Sequence, residues 1–242
     1  MRKLLITIDG PAGAGKTTVS RLLAGRLGYR YIDTGALYRA VAVSARRRNI
    51  APEDDSALSR MLEKLELNFL PDASGQRLLA DGEDITGLLR TPEVSMLASA
   101  VSARPAVRAF LLKIQRQLGR QKAAVFEGRD MGTVVFPEAE VKFFLSASES
   151  TRALRRFTEI QEKTGVSLEE VERDLHRRDD QDSHRTLAPL KPAEDAIRID
   201  SSDLSIAQVV ELMLKHVAAA LQVHGSAVQP FNRSSCFPNR EP

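Results

Sequence analysis

The stretch TIDGPAGAGKTTVS, Thr7 to Ser20, narrows the choice of fold more than any other part of the chain, because it sets Gly10, four spacers and Gly15-Lys16-Thr17 between an apolar run and an amphipathic one. Leu4 to Ile8 is short, aliphatic and stopped by Asp9-Gly10-Pro11, which predicts a buried parallel strand. Thr17 to Leu27 puts Val19, Leu22, Leu23 and Leu27 on one helical face. Strand, glycine-rich loop and helix in that order fit the phosphate-loop pattern G-x-x-x-x-G-K-[ST]. Glycine backbones reach conformations closed to other residues, so successive N–H groups converge on phosphate oxygens, and the helix start adds a partial positive charge. Gly10, Pro11, Ala12, Gly13, Ala14, Gly15, Lys16, Thr17 and Thr18 are therefore candidate nucleoside triphosphate ligands. Lys16 would reach the outer phosphates, and the Thr17 hydroxyl would ligate Mg²⁺.

A second short strand, Tyr29 to Ile32, leads through DTG to a helical run from Ala36 to Arg47. This alternation implies a parallel sheet with crossover helices. The texture changes after Pro52: a helical run, Asp55 to Leu65, precedes short segments broken by Asp-Ala-Ser-Gly and Asp-Gly, which predict small antiparallel strands. Residues 52–99 thus read as an insertion. Beyond Pro105 a stripe of Val107, Phe110, Leu111, Ile114 and Leu118 predicts a helix, and AAVFEGRD and VKFFLSA predict buried strands. Ser146 with Glu149, Ser167 with Glu170 and Ser205 with Gln208 have the spacing of capping boxes, the last after a short strand from Ala196 to Ile199. From about Val223 the chain has no periodicity, and residues 223–242 are expected to be a disordered tail.

At 242 residues the chain suits one α/β domain with an insertion. Its 35 Lys and Arg against 32 Asp and Glu are interleaved, a balance that suits an anionic small molecule as well as nucleic acid. The single Cys236 cannot form an internal disulfide, and no His/Cys cluster has zinc spacing, so a reducing cytoplasm is expected. No apolar run approaches about 18 residues, and no membrane span is expected.

A phosphate loop leaves three outcomes open: a switch GTPase, an ATP-driven machine or a kinase of a small substrate. No N-K-x-D is present to read guanine, and D-x-x-G at Asp72 to Gly75 and Asp84 to Gly87 falls in turn-rich sequence. A small-molecule kinase is favoured by further charged and polar groups after the predicted strands: Asp33, Thr34, Tyr38 and Arg39, then Arg104 and Arg108, then Arg129 and Asp130. Ligands of open parallel sheets bind at such carboxyl ends. Asp33 could equally serve only as a helix N-cap, and Arg39 and Arg108 could lie on solvated helix faces. RRDDQDSHRT, Arg177 to Thr186, reads either as a salt-bridged helix or as part of a lid from about residue 158 to 185, hinged near Gly165, that shuts water out of phosphoryl transfer.

These residues make the chain resemble the bacterial cytidylate kinase family of nucleoside monophosphate kinases, in ITIDGPAGAGKTT, YIDTGALYRA, RTPEV, EGRDMGTVVFPEAEVKFFL, RRDDQDSHRTLAPLKPA and IDSSDLSIAQVV. The resemblance covers roughly residues 5–215. It implies a P-loop NTPase-type parallel sheet flanked by helices, with residues 1–51 and 100–222 as the kinase core, 52–99 as a monophosphate-binding subdomain and a short helical lid at about 158–185. It implies transfer of the γ-phosphoryl group of ATP, with Mg²⁺, to CMP or dCMP by a cytoplasmic monomer with no nucleic-acid partner. Thr34, Tyr38, Arg39, Ser99, Arg108, Arg129, Asp130, Arg178, Asp182 and Arg185 are then expected to face CMP, with Lys16, Arg129, Arg178 and Arg185 catalytic. Ser99, Arg108 and Asp130 resemble the base-reading set, and Arg178 with Asp182 the set near ribose and phosphates. Thr34 stands where many relatives have Ser, and Glu127 where Asp is common, which keeps the charge and extends its reach. Kinases of UMP or shikimate and a basic nucleic-acid binder remain as rivals at this stage.

Overall fold

The computed structural model describes residues 3–72 and 75–223. The expected tail, with Cys236, lies outside the described residues, as does the centre of the Asp72 to Gly75 motif. In chain order the elements are β1 (Leu5–Asp9), α1 (Lys16–Leu27), β2 (Arg30–Asp33), α2 (Thr34–Arg47), α3 (Asp55–Leu62), β3 (Leu67–Asp72), β4 (Gly75–Ala80), β5 (Glu83–Asp84), α4 (Pro92–Ser102), α5 (Pro105–Gly119), β6 (Ala124–Gly128), β7 (Val141–Ser146), α6 (Glu149–Thr164), α7 (Leu168–His184), β8 (Ile197–Asp200) and α8 (Ile206–Val223). A 3₁₀ turn at Thr86–Leu88 follows β5, and a single π-helical turn, Met131–Val135, follows β6.

Five strands form a parallel sheet in the order β2-β6-β1-β7-β8. Strand β1 lies at its centre because it is apolar on both faces, as a strand covered by helices on each side must be. Leu4, Ile6 and Ile8 pack with Val19 and Leu23 of α1 and with Val209, Val210, Met213 and Val217 of α8. Leu5 points the other way, into a cluster with Ile32, Phe126, Met131, Val135 and Phe136. Phe126 and Phe143 are fully buried on β6 and β7, the two strands that flank β1, and truncating either to Ala would cost about 3–5 kcal/mol. Among the described residues no helix is long and apolar enough to cross a membrane.

The insertion builds a three-stranded antiparallel sheet, β3-β4-β5, as its turn-punctuated sequence predicts. Its apolar side is shared with the rest of the chain: Leu58 of α3, Leu78 of β4 and Val94 of α4 join Leu37 and Val41 of α2 and Leu111 of α5 in one cluster. The motif at Asp84 to Gly87 is a turn, with Asp84 Oδ1 accepting from the Thr86 N–H at 2.9 Å. Two of the three expected capping boxes form, at Ser167 with Glu170 and at Ser205 with Gln208. The third does not. Ser146 is still the last residue of β7, and Ser148 caps α6 by accepting from the Thr151 N–H.

Candidate active site

The loop between β1 and α1 turns sharply at Gly10, φ 147°, where an added Cβ would stand 2.0 Å from the Leu145 carbonyl oxygen. Gly15, at φ 85°, is the left-handed N-cap of α1, so the helix begins at Lys16 with its N–H groups facing the loop. Lys16 is 7% exposed, and its Nζ donates to the Pro11 carbonyl at 2.6 Å. Burial, aided by the nearby Arg129 guanidinium, depresses its pKa to about 7. An ammonium held so weakly has unused capacity for anionic oxygens.

Glu127, in the penultimate position of β6, accepts from the Thr17 hydroxyl at 2.8 Å through Oε1. Its Oε2 is buried without a hydrogen bond, although the Tyr31 hydroxyl approaches the same carboxylate. Burial and the neighbouring Asp33 raise the Glu127 pKa. A hydroxyl and a buried carboxylate with a free oxygen are donors suited to a hard divalent cation.

The strand ends bring the second group of residues together. Asp33 is both the N-cap of α2, accepting from the Ala36 N–H at 3.0 Å, and the partner of Arg39 at 2.7 Å. Thr34 is 2% exposed and its hydroxyl donates to the Glu127 carbonyl at 2.6 Å. Beyond β6, Asp130 is 2% exposed, with its carboxylate paired to Arg108 of α5 and lying 3.6 Å from Arg185. Burial raises its pKa against the opposing pull of Arg108. The Arg108 guanidinium also lies over the Tyr38 ring, 5.8 Å from its centroid. Tyr38 itself is pushed up to about 12 by burial and by Asp130, so its hydroxyl stays protonated. A cavity of about 190 Å³ opens here, lined by Tyr38, Arg108, Gln115, Asp130 and Leu187 among others.

The third group comes from α7. Asp182 accepts from Arg129 Nε at 2.9 Å and lies 3.6 Å from Arg185, whose Nε donates to the Ala188 carbonyl at 2.6 Å. Arg178 sits one turn earlier, with its Nε buried and unpartnered, and burial beside Arg156 lowers its pKa. Guanidiniums crowded together in this way await anions. Ser99 is not joined to Arg108 and Asp130 but donates to Gln181 of α7 at 3.0 Å, so helix α4 of the insertion meets α7. Arg104 pairs with Asp55 of α3 and is not drawn into this cluster.

Three participants were not singled out in the sequence. Arg152 of α6 is 5% exposed, donates to the Ala12 carbonyl of the loop at 3.1 Å and pairs with Asp179 of α7. It borders a cavity of about 640 Å³ between α6 and α7. Its position one turn into the helix after a buried strand was the available signal. Gln181 carries none. Asp9, a carboxylate closing an apolar strand, is visible in LLITIDG, where the sequence marks it only as part of a strand stop.

Comparison with known proteins supplies a family for this geometry. A family model described as cytidylate kinase matches residues 6–219. A cytidylate kinase from Geobacter sulfurreducens is 51% identical over 213 residues, 88% of this chain and 91% of the relative. Another, from Carboxydothermus hydrogenoformans, is 48% identical over 211 residues, 87% of this chain and 95% of the relative. Among solved structures, a shikimate kinase from Acinetobacter baumannii is 18% identical with a TM-score of 0.44, over 93% of this chain and 96% of that one.

Proposed function

As this chain belongs to the cytidylate kinase family and phosphorylates CMP and dCMP, we propose that MgATP is its donor and that the residues described above divide the work between the two nucleotides. The loop from Gly10 to Thr18 holds the ATP phosphates on backbone N–H groups, and Lys16 follows the outer phosphates. Its depressed pKa supports this, because the low value records a charge lacking the anion that would stabilise it. Thr17 would hold Mg²⁺ with Glu127 behind it, and when bound the ion supplies positive charge against the outer phosphates.

The acceptor lies among Thr34, Tyr38, Arg39, Ser99, Arg108, Arg129, Asp130, Arg178, Asp182 and Arg185. Residues 52–99 serve as its monophosphate-binding subdomain, and about 158–185 as a lid turning near Gly165. The one observation that carries this reading is the array of Arg108, Arg185 and Arg129 around the buried Asp130 and Asp182, which joins β6, α5 and α7 around one space. A phosphate acceptor is already an anion and needs no general base. The arginines Arg129, Arg178 and Arg185 instead neutralise charge on the migrating group, and the array holds donor and acceptor in line. The enzyme is read as a cytoplasmic monomer whose partners are these small molecules, with neither nucleic acid nor membrane among them.

The test is ADP release with CMP, dCMP, UMP and shikimate offered in turn. Rapid turnover with CMP and dCMP and slow turnover with UMP is expected. Turnover with shikimate, or equal rates with CMP and UMP, would remove the assignment of the acceptor residues.

A further inference from the structure

Asp9 ends β1, in register with Gly128 of β6 and Phe144 of β7, and the next residue opens the phosphate loop. It shares a strand face with Leu5 and Thr7, the face on which the π-helical turn lies. There its two carboxylate oxygens accept from consecutive backbone N–H groups, Oδ1 from Met131 at 2.9 Å and Oδ2 from Gly132 at 2.8 Å. These are the two residues immediately after Arg129 and Asp130. The side chain is 4% exposed, so both bonds are shielded from water.

The segment is anchored elsewhere as well. Arg116 of α5 donates to the Val134 and Val135 carbonyls at 3.3 and 3.2 Å, and Lys142 of β7 donates to the Pro137 carbonyl. Those contacts hold its far end. The Asp130 carbonyl accepts from the Val134 and Val135 N–H groups within the turn, while the Asp9 bonds hold the backbone next to Asp130 from outside it, and a π turn is a local departure from regular helix that needs such outside support.

We propose that Asp9 is a positioning residue for the base end of the acceptor site: it fixes the backbone turn that carries Arg129 and Asp130, and so sets where both side chains point. A carboxylate suits the task because it accepts at both oxygens, whereas an amide accepts at only one. It also makes the strand that ends in the phosphate loop bear directly on the acceptor site. The proposal rests on the reading of Asp130 as a residue that faces the base.

Two variants test it from opposite sides of the joint, Asp9→Asn and Gly132→Ala. The first replaces one acceptor by an amide donor. The second keeps the charge of Asp9 but adds a Cβ that would stand 3.1 Å from Thr7 Oγ1, 3.2 Å from Lys142 Cδ and 3.4 Å from Asp9 Oδ2, so the joint must give to admit it. In steady-state assays each should raise KM for CMP by roughly tenfold or more, since small misplacements of positioning groups are amplified in this way. KM for ATP should stay within about twofold, and the preference for CMP over UMP should fall in step. A loss of packing alone would not produce that split. Unchanged KM for CMP in either folded variant, or equal rises for ATP and CMP, would overturn the proposal; if Asp9→Asn does not fold, Gly132→Ala decides. Asp130→Asn is assayed alongside. If it raises KM for CMP and the other two do not, the positioning role alone fails; if it does not, the reading of Asp130 fails and takes the proposal with it.

Discussion

Arg129 and Asp182, 53 residues apart in the chain, meet Nε to Oδ2 at 2.9 Å, and this pair ties the end of β6 to helix α7. Asp182 offsets the burial that would otherwise strip charge from Arg129, and the guanidinium pKa lies above its usual value. Asp182→Asn keeps the shape and weakens the tie. We expect kcat/KM for CMP to fall by roughly 10²-fold, because the arginines of α7 lose their register over the acceptor. The melting temperature should move by only a few degrees, since the amide keeps the space filled and its oxygen still accepts from Arg129 Nε, whose side chain at 28% exposure also reaches water. Kinetics and thermal melts on one preparation check both halves, and near-normal turnover would remove the tie from the mechanism.

Lys16 gives a prediction about protons. Its pKa of about 7 lies below the ordinary lysine value, so without nucleotide the side chain is mostly neutral at pH 8. Phosphates bound beside it restore the charge. MgATP binding at pH 8 should therefore take up a proton, and the uptake should vanish by pH 6, where Lys16 is already charged. The same shift has a sign for stability: between about pH 7 and the ordinary lysine range the unfolded chain binds more protons, so this group makes the nucleotide-free protein more stable as pH rises. Calorimetry in buffers of different ionisation enthalpy measures the uptake. In Lys16→Ala it should disappear, with turnover down by about 10² or more.

Much of the site was legible because it follows from strand ends. The strand, loop and helix around Lys16, the cap at Asp33 and the GRD after β6 are local patterns, and each sits where its spacing places it. The charged run at 177–186 is the salt-bridged helix the sequence allowed: helix α7 extends to His184, and its Asp179, Gln181 and Asp182 make contacts to α6, α4 and the residue after β6. Helix α4 was not foreseen. Its small and apolar residues are spread around the helix, so no stripe appears, and its boundary rests on the Thr91 cap and Pro92. The π turn at Met131–Val135 had no sequence signal either, because its support comes from Asp9, 122 residues earlier. Ser146 failed as a cap for a related reason: pairing with β8 keeps it in β7, and the helix start passes to Ser148.

Two glycines of the loop should differ sharply when changed to alanine. Gly15 has open space around its Cα, so Gly15→Ala meets only the backbone strain of its positive φ, about 1–2 kcal/mol. Gly10→Ala adds that strain to a Cβ placed 2.0 Å from the Leu145 carbonyl oxygen, and the central sheet must open to admit it. Chemical denaturation should show Gly15→Ala folded with modestly reduced stability and Gly10→Ala destabilised by more than about 4 kcal/mol or unfolded. Similar losses for both would mean that the contact with β7 does not set the loop.

The pairing of Asp130 with Arg108 bears on how the base is chosen. Cytosine offers an amino donor at position 4 and an acceptor at ring nitrogen 3, which a carboxylate and a guanidinium held side by side can meet together. Uracil reverses both groups, so UMP would leave buried polar groups unpaired, and sites built in this way discriminate by roughly 10⁴ or more. Arg108 and Arg185 both face the Asp130 carboxylate, which keeps it in place despite the burial that raises its pKa. Asp130→Asn supplies an amide able to donate to the uracil carbonyl. The ratio of kcat/KM for CMP over UMP should therefore shrink, mainly through a loss on CMP, and measuring both nucleotides with one enzyme preparation gives that ratio directly. An unchanged ratio, whatever the absolute rates, would mean that Asp130 only orients its two arginines and that the base is read elsewhere.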